Sequence, residues 1–297
     1  MKLTTIQVGQ RKLVAVLDGD ILRVLGVPEM RTLFEMGPPE QIAAGLMTGE
    51  TIHRSDARLL APIIPRKFFH TAGNFREHAE EGRRANWVND IRPWIVFFQN
   101  VDAIIGPDEA IIYPPHLTEE MDYELELAVV LGKSGKHFTA DEAESHIGGY
   151  VIFNDITARD IQRREMKSAN FCFSKSIDTF CPLGPWIVTP EEIPDPHRLN
   201  MELRVNGELR QKSCSANMSV TIPQILAHYS ALGYSAGDVL STGTVAGVAG
   251  FSADPKAWYL KPGDVVEAQI EGIGTLRNPV VSWESVYKTA PPPPLKW

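Results

Sequence analysis

Met121-Asp122-Tyr123-Glu124-Leu125-Glu126-Leu127-Ala128-Val129-Val130-Leu131-Gly132 is the stretch on which the fold turns. It reads as a strand, yet it carries two glutamates two residues apart just before its most apolar part. Successive strand side chains point to opposite faces. Glu124, Glu126 and Ala128 therefore share one side, while Leu125, Leu127 and Val129 share the other. By itself the alternation describes a sheet with one face on the core and one face in water. The alternative is a pair of metal ligands, which requires more oxygen donors elsewhere in the chain.

The chain has 297 residues, of which 43% are hydrophobic and 22% charged, enough to bury the core of one large domain or two. Its formal net charge is -8, and its basic clusters do not go beyond short runs such as Arg83-Arg84 and Arg163-Arg164. That balance argues against a nucleic-acid or membrane-surface partner. No stretch approaches about eighteen consecutive apolar residues, and the opening MKLTTIQVGQRK has no apolar run long enough for a signal peptide. The expected location is cytoplasmic. Cys172, Cys181 and Cys214 lack metal-site spacing and read as buried or incidental thiols.

Residues 1–62 read as a small, separate, mostly β domain, a hairpin meander with a turn at Asp18-Gly19 followed by a helical piece within residues 33–49. The connector APIIP leads into residues 63–286, the expected catalytic domain. There a strand gives way at Asn74 to a helix, WIVFF reads as a buried run, and GGYVIFN reads as a strand that ends at Asn154-Asp155 before a helix near Ala158. TIPQILAHYSALG is an amphipathic helix stopped by Gly233, and two late strands follow the glycine-rich STGTVAGVAGF. Residues 287–297 form a proline-rich tail suited to polyproline II geometry. Many short strands, few helices and no regular β-α alternation point to the α+β class.

A third carboxylate, Asp155, stands where the VIFN strand leaves its sheet, although as a single residue it fits a helix cap better. Two glutamates and an aspartate form an all-oxygen set of the kind Mg²⁺ or Mn²⁺ prefers. His78 and Glu81 are three apart on a helical stretch, so the carboxylate can orient the imidazole as a general base. Their plainer reading is a surface ion pair. Lys175 either pairs with Asp178 or, beside a metal, suits an enolate or carboxylate. Arg159 and Gln162 lie one turn apart and could hold a carboxylate, or simply form a solvated helix face. Thr244 offers a hydroxyl in the glycine-rich loop, or forms a turn.

In chain order, Asn74-Phe75-x-x-His78-Ala79-x-Glu81, Glu124-x-Glu126, Asn154-Asp155-x-Thr157-Ala158-Arg159-Asp160-x-Gln162, Lys175 and Thr242-Gly243-Thr244-x-x-Gly247-Val248 resemble the fumarylacetoacetate hydrolase family. The resemblance implies a mixed β-sandwich roll of the fumarylacetoacetase C-terminal type behind a small mostly-β domain, and a homodimer. It also implies Mg²⁺ or Mn²⁺ on Glu124, Glu126 and Asp155. Thr71 stands where animal fumarylacetoacetases carry a further aspartate ligand, and Gln99 where many members carry a lysine. Phe75 and Val245 replace a frequent tyrosine and proline. The insertion RANWVNDIRPW, residues 84–94, is placed to shape the distal end of the substrate site.

The activity this implies is hydrolysis of a carbon-carbon bond in an acylpyruvate-like 1,3-diketo acid. Arg159, Gln162 and Thr244 would hold the 2-oxo acid, His78 with Glu81 would activate water, and Lys175 would stabilise the departing enolate. Decarboxylation of oxaloacetate or a related 2-oxo acid, and tautomerisation or hydration, pass through the same enolate and stand as the alternatives.

Overall fold

The structure is a computed structural model and describes residues 1–85, 94–168, 170 and 172–293. Residues 86–93 of the RANWVNDIRPW insertion and residues 294–297 of the tail lie outside the described residues.

Leu125–Leu131 is a strand buried at every position. It pairs antiparallel with Ile147–Asn154 on one side and with Val239–Thr244 on the other, at the middle of a 12-stranded sheet among the described residues. Leu125, Leu127, Val129 and Leu131 pack into the main core with Met201, Leu203, Val266 and Ile270 of a second, five-stranded sheet and with Ile225 and Leu226 of the helix Ile222–Tyr229. Burying each such leucine contributes roughly 1.5–3 kcal/mol. Ala128 and Val130, on the opposite face, meet Phe68, Phe153, Leu33 and Phe34. The expectation that one face is wet is therefore corrected: residues of the N-terminal segment cover it, and Glu126 lies 3% exposed on that dry side.

The N-terminal strands continue the same sheet. Lys2–Val8 pairs with Arg11–Asp18 on one side and with Cys181–Val188 on the other, Leu3 lying opposite Ile187. The expected turn after Asp18 is present, with Gly19 at φ 60, a conformation that suits a residue without Cβ. The helical piece in residues 33–49 is realised as Met30–Met36 and Pro39–Ile42. Phe68–Ala72 pairs parallel with Val239–Thr244, which makes the large sheet mixed.

Helices arise where the sequence signals them. Arg76–Arg84 follows the Asn74 break, and Ile222–Tyr229 begins with a capping box between Thr221 and Gln224. Two readings are corrected. WIVFF is not a buried run: Ile95–Phe98 is an edge strand, with Phe98 48% exposed, because its pairing joins it to the outside of Phe68–Ala72. Asp155 is not a helix cap, since Arg159–Glu165 starts after Ala158 with no side-chain cap. Cys181 is buried, Cys214 half-buried and Cys172 exposed, all as free thiols.

Candidate active site

Strand pairing fixes the first two acidic groups. Leu125 lies opposite Asn154, the Asn154 side chain accepts the Glu124 N–H at 3.0 Å, and the Asp155 N–H donates to the Glu124 carbonyl at 2.9 Å. Glu124 and Asp155 thus leave neighbouring strands at the same level. The short 3-10 turn Phe173–Lys175 brings in a buried cation: Lys175 Nζ donates to Glu124 Oε2 at 2.8 Å, Asp155 Oδ2 at 2.5 Å and Thr157 Oγ1 at 2.8 Å. It does not pair with Asp178, which instead accepts from the Tyr287 hydroxyl at 3.1 Å. Gln99 donates to the Lys175 carbonyl at 2.8 Å and so fixes the turn that carries Lys175.

Arg159, at the first turn of its helix, is 2% exposed. Nε meets Asp122 at 2.7 Å, Nη1 meets Gln162 at 2.9 Å and Nη2 meets Glu124 at 2.6 Å. Arg159 and Gln162 are thus buried rather than a solvated helix face, the guanidinium lying against Asp122 and Glu124 and accepted by the Gln162 side-chain oxygen. Thr244 donates to the Leu125 carbonyl and accepts from Gln211, both at 3.2 Å.

Four carboxylates, Asp122, Glu124, Glu126 and Asp155, face two cations, Arg159 and Lys175, inside the protein. Burial pushes the Glu124 carboxyl up, but Lys175 and Arg159 outweigh it and hold the group down at about 2. For Asp155, burial and then Glu124 prevail over Lys175 and raise it to about 7. Glu126 is driven well above the usual carboxylate range, by burial first and then by Asp155 and Glu124. Its carboxylate accepts from the Ser241 hydroxyl, which does not offset that charge. A buried excess of negative charge is relieved by protons or by a divalent cation.

The donor set fits the cation. Asp155 Oδ1 has no hydrogen-bond partner among the described residues, and donor atoms of Glu126, Asp155 and His70 lie within 4.8 Å of one another. Of the three expected ligands, Glu126 and Asp155 stand in this group. Glu124 adjoins it with one oxygen on Arg159 and the other on Lys175.

His78 and Glu81 form a separate pair on Arg76–Arg84, with Nδ1 3.3 Å from Glu81 Oε2. It is not an ordinary surface ion pair, because His78 is buried and stacks on Phe251 at 5.4 Å, and the Arg159 guanidinium approaches the same ring at 5.8 Å. Glu81 also accepts the Gly247 N–H at 3.0 Å. On the loop's other side, Asp122 accepts from the N–H groups of Ala249 and Gly250, each at 2.8 Å. Within the glycine-rich loop, Gly247 is therefore tied to the histidine helix and Ala249 and Gly250 to the acidic cluster. Asp122 was missed by the sequence reading, although the period of two that links Glu124 to Glu126 extends back to it.

Comparison with known proteins bears on the family and the fold. Residues 67–281 match the family model described as the fumarylacetoacetate hydrolase C-terminal domain. The chain is 40% identical over 230 residues to oxaloacetate tautomerase YisK of Bacillus subtilis (strain 168), covering 76% of this chain and 74% of the relative. Its fold matches the crystal structure of 5-carboxymethyl-2-hydroxymuconate delta-isomerase from Mycobacterium smegmatis, with TM-score 0.75, 32% identity, and 95% of this chain and 100% of that one covered. It also matches the fumarylacetoacetate hydrolase of the psychrophile Exiguobacterium antarcticum, with TM-score 0.81, 32% identity, and 95% and 99% covered.

Proposed function

The chain belongs to the fumarylacetoacetate hydrolase family, and from that premise we propose that it is a metal-dependent enzyme interconverting the enol and keto forms of a small 2-oxo acid of the oxaloacetate type. One observation carries the proposal: a buried ammonium, Lys175 Nζ, is held by Glu124, Asp155 and Thr157 beside a carboxylate oxygen, Asp155 Oδ1, that lacks a partner among the described residues. Such a site favours charge developing on the oxygen of an enolate. Similarity to a tautomerase and an isomerase supports proton transfer at carbon over the carbon-carbon hydrolysis expected from the sequence.

Glu126 and Asp155, with Glu124 beside them, would hold Mg²⁺ or Mn²⁺. When bound, the ion supplies positive charge to the carboxylate and C2 oxygen of the 2-oxo acid. The side chains do the rest. Lys175, whose three N–H groups are taken by Glu124, Asp155 and Thr157, stabilises the C2 oxygen through its positive charge. Glu81 accepts from His78 Nδ1, fixing the tautomer that leaves Nε2 basic. Nε2 takes the proton from C3 of the keto form and the C2 oxygen of the resulting enolate takes one up from water, the reverse steps running from enol to keto, so that one C–H bond is exchanged for one O–H bond and nothing else is consumed. Lys175 and Arg159 keep Glu124 ionised, and Asp122 holds the Arg159 guanidinium in place.

The test gives metal-stripped protein enol-oxaloacetate with and without added Mg²⁺ or Mn²⁺, following enol absorbance in the ultraviolet and pyruvate in parallel. Metal-dependent loss of the enol without pyruvate is the expected result, and His78→Ala should slow it about a hundredfold or more. Pyruvate formation at the same rate would make the protein a decarboxylase. The second reading, acylpyruvate hydrolysis, draws on the likeness to the Exiguobacterium hydrolase, and acylpyruvate cleavage outpacing enol loss would put it first.

A further inference from the structure

His70 has no part in the chemistry described above, and its surroundings are unlike those of an ordinary core residue. It lies on Phe68–Ala72 in register with Ser241, the residue whose hydroxyl bonds Glu126. It is 1% exposed. Its ring is stacked between Phe68 at 4.6 Å and Phe97 at 4.5 Å, and Phe153 meets it edge-on at 4.9 Å. These contacts fix the ring plane and hence the direction of its lone pair. Neither ring nitrogen has a hydrogen-bond partner among the described residues. Leaving such groups unsatisfied in a dry interior costs about 1–3 kcal/mol each, so a buried imidazole of this kind calls for a ligand.

The candidate ligand is close. Nδ1 lies 3.7 Å from Asp155 Oδ2, and the donor atoms of His70, Glu126 and Asp155 are all within 4.8 Å of one another. Donors bound to one ion at about 2.1 Å stand roughly 3–4.3 Å apart, so side-chain shifts of a few tenths of an ångström would close the set. Burial, followed by Lys175, pulls the His70 pKa well below the ordinary histidine value, which leaves the ring neutral and able to bind through a lone pair.

We propose that His70 is a nitrogen ligand of the divalent cation at Glu126 and Asp155, converting an all-oxygen site into a mixed one that takes Mn²⁺ or a similar first-row transition ion in preference to Mg²⁺. The inference rests on the reading of Glu126 and Asp155 as metal ligands. Imidazole is a good donor to transition ions, whereas Mg²⁺ prefers oxygen and keeps its waters.

The experiment loads metal-stripped full-length protein with Mn²⁺ and records pulsed electron paramagnetic resonance. Natural-abundance protein is compared with protein grown on ¹⁵N-histidine, and calorimetry gives Mn²⁺ and Mg²⁺ affinities. A directly bound nitrogen coupling is expected that changes with ¹⁵N-histidine, persists in His78→Gln, and disappears in His70→Gln and His70→Leu. His70→Gln should also weaken Mn²⁺ binding at least about tenfold and Mg²⁺ binding far less. If wild-type protein binds Mn²⁺ in a manner abolished by Glu126→Gln but shows no histidine coupling, the His70 assignment is overturned and the metal reading survives. A coupling that persists without His70 also overturns the assignment. Absence of Mn²⁺ binding overturns both readings. Because absence of a histidine coupling from the wild-type spectrum overturns the assignment by itself, the proposal can fail even where a variant does not fold.

Discussion

Asp155 sits where burial and charge conflict most openly. Burial first and Glu124 next raise its carboxyl to about 7 against the opposing pull of Lys175. A carboxyl whose folded pKa lies above its unfolded one contributes stability that is complete below the unfolded value and is lost as pH rises through the folded one. Metal-free protein should therefore lose melting temperature between about pH 4 and pH 8, and Asp155→Asn should flatten that fall. Added Mn²⁺ should remove it, because the cation takes the place of the proton, and calorimetry in buffers of different ionisation enthalpy should register proton release at pH 6. A wild-type profile no steeper than that of Asp155→Asn would refute the charge assignment. At this scale the sequence was readable where residue types recur at a spacing, as with Glu124, Glu126 and the His78-Glu81 pair. It was unreadable for His70, because a lone imidazole in FFHTAG has no partner nearby in the chain.

At the scale of elements, the glycine-rich loop couples the parts. Glu81 on the helix Arg76–Arg84 holds the Gly247 N–H, and Asp122, just ahead of Leu125–Leu131, holds Ala249 and Gly250. Gly247 adopts φ +104, and a Cβ there would lie 2.2 Å from the Arg210 carbonyl oxygen. Gly247→Ala should destabilise the fold by about 1–3 kcal/mol through backbone strain alone, measured as a shift of the urea midpoint. Turnover should fall as well, because Glu81 loses a partner. Asp122→Asn should speed hydrogen exchange at the 249 and 250 amides while leaving the 125–131 amides protected, and equal acceleration in both would mean that Asp122 supports the whole sheet rather than the loop. Helix starts and turns were legible because they depend on neighbours in sequence. The edge position of Ile95–Phe98 was not, since the same apolar run fits the centre or the rim of a sheet.

For the whole molecule, the N-terminal segment covers one face of the sheet that carries the site. Removing residues 1–62 would leave Ala128, Val130, Phe68 and Phe153 without Leu33 and Phe34, and would bare the edge of Cys181–Val188. The 63–297 chain should bind a hydrophobic dye and aggregate, whereas full-length protein should not. A monodisperse, cooperatively melting truncation would show that this face needs no cover. No helix among the described residues is long and apolar enough to cross a membrane. The sequence by itself determined the α+β class, the family and most of the polar constellation, because motif spacing along strands and helices is set by local backbone geometry. Only the tertiary structure decided that both faces of the central strand are dry, that Arg159 lies buried against Glu124 and Asp122, and that His70 meets Glu126 and Asp155. Those facts depend on strands far apart in sequence coming together in one sheet, and on what then covers it.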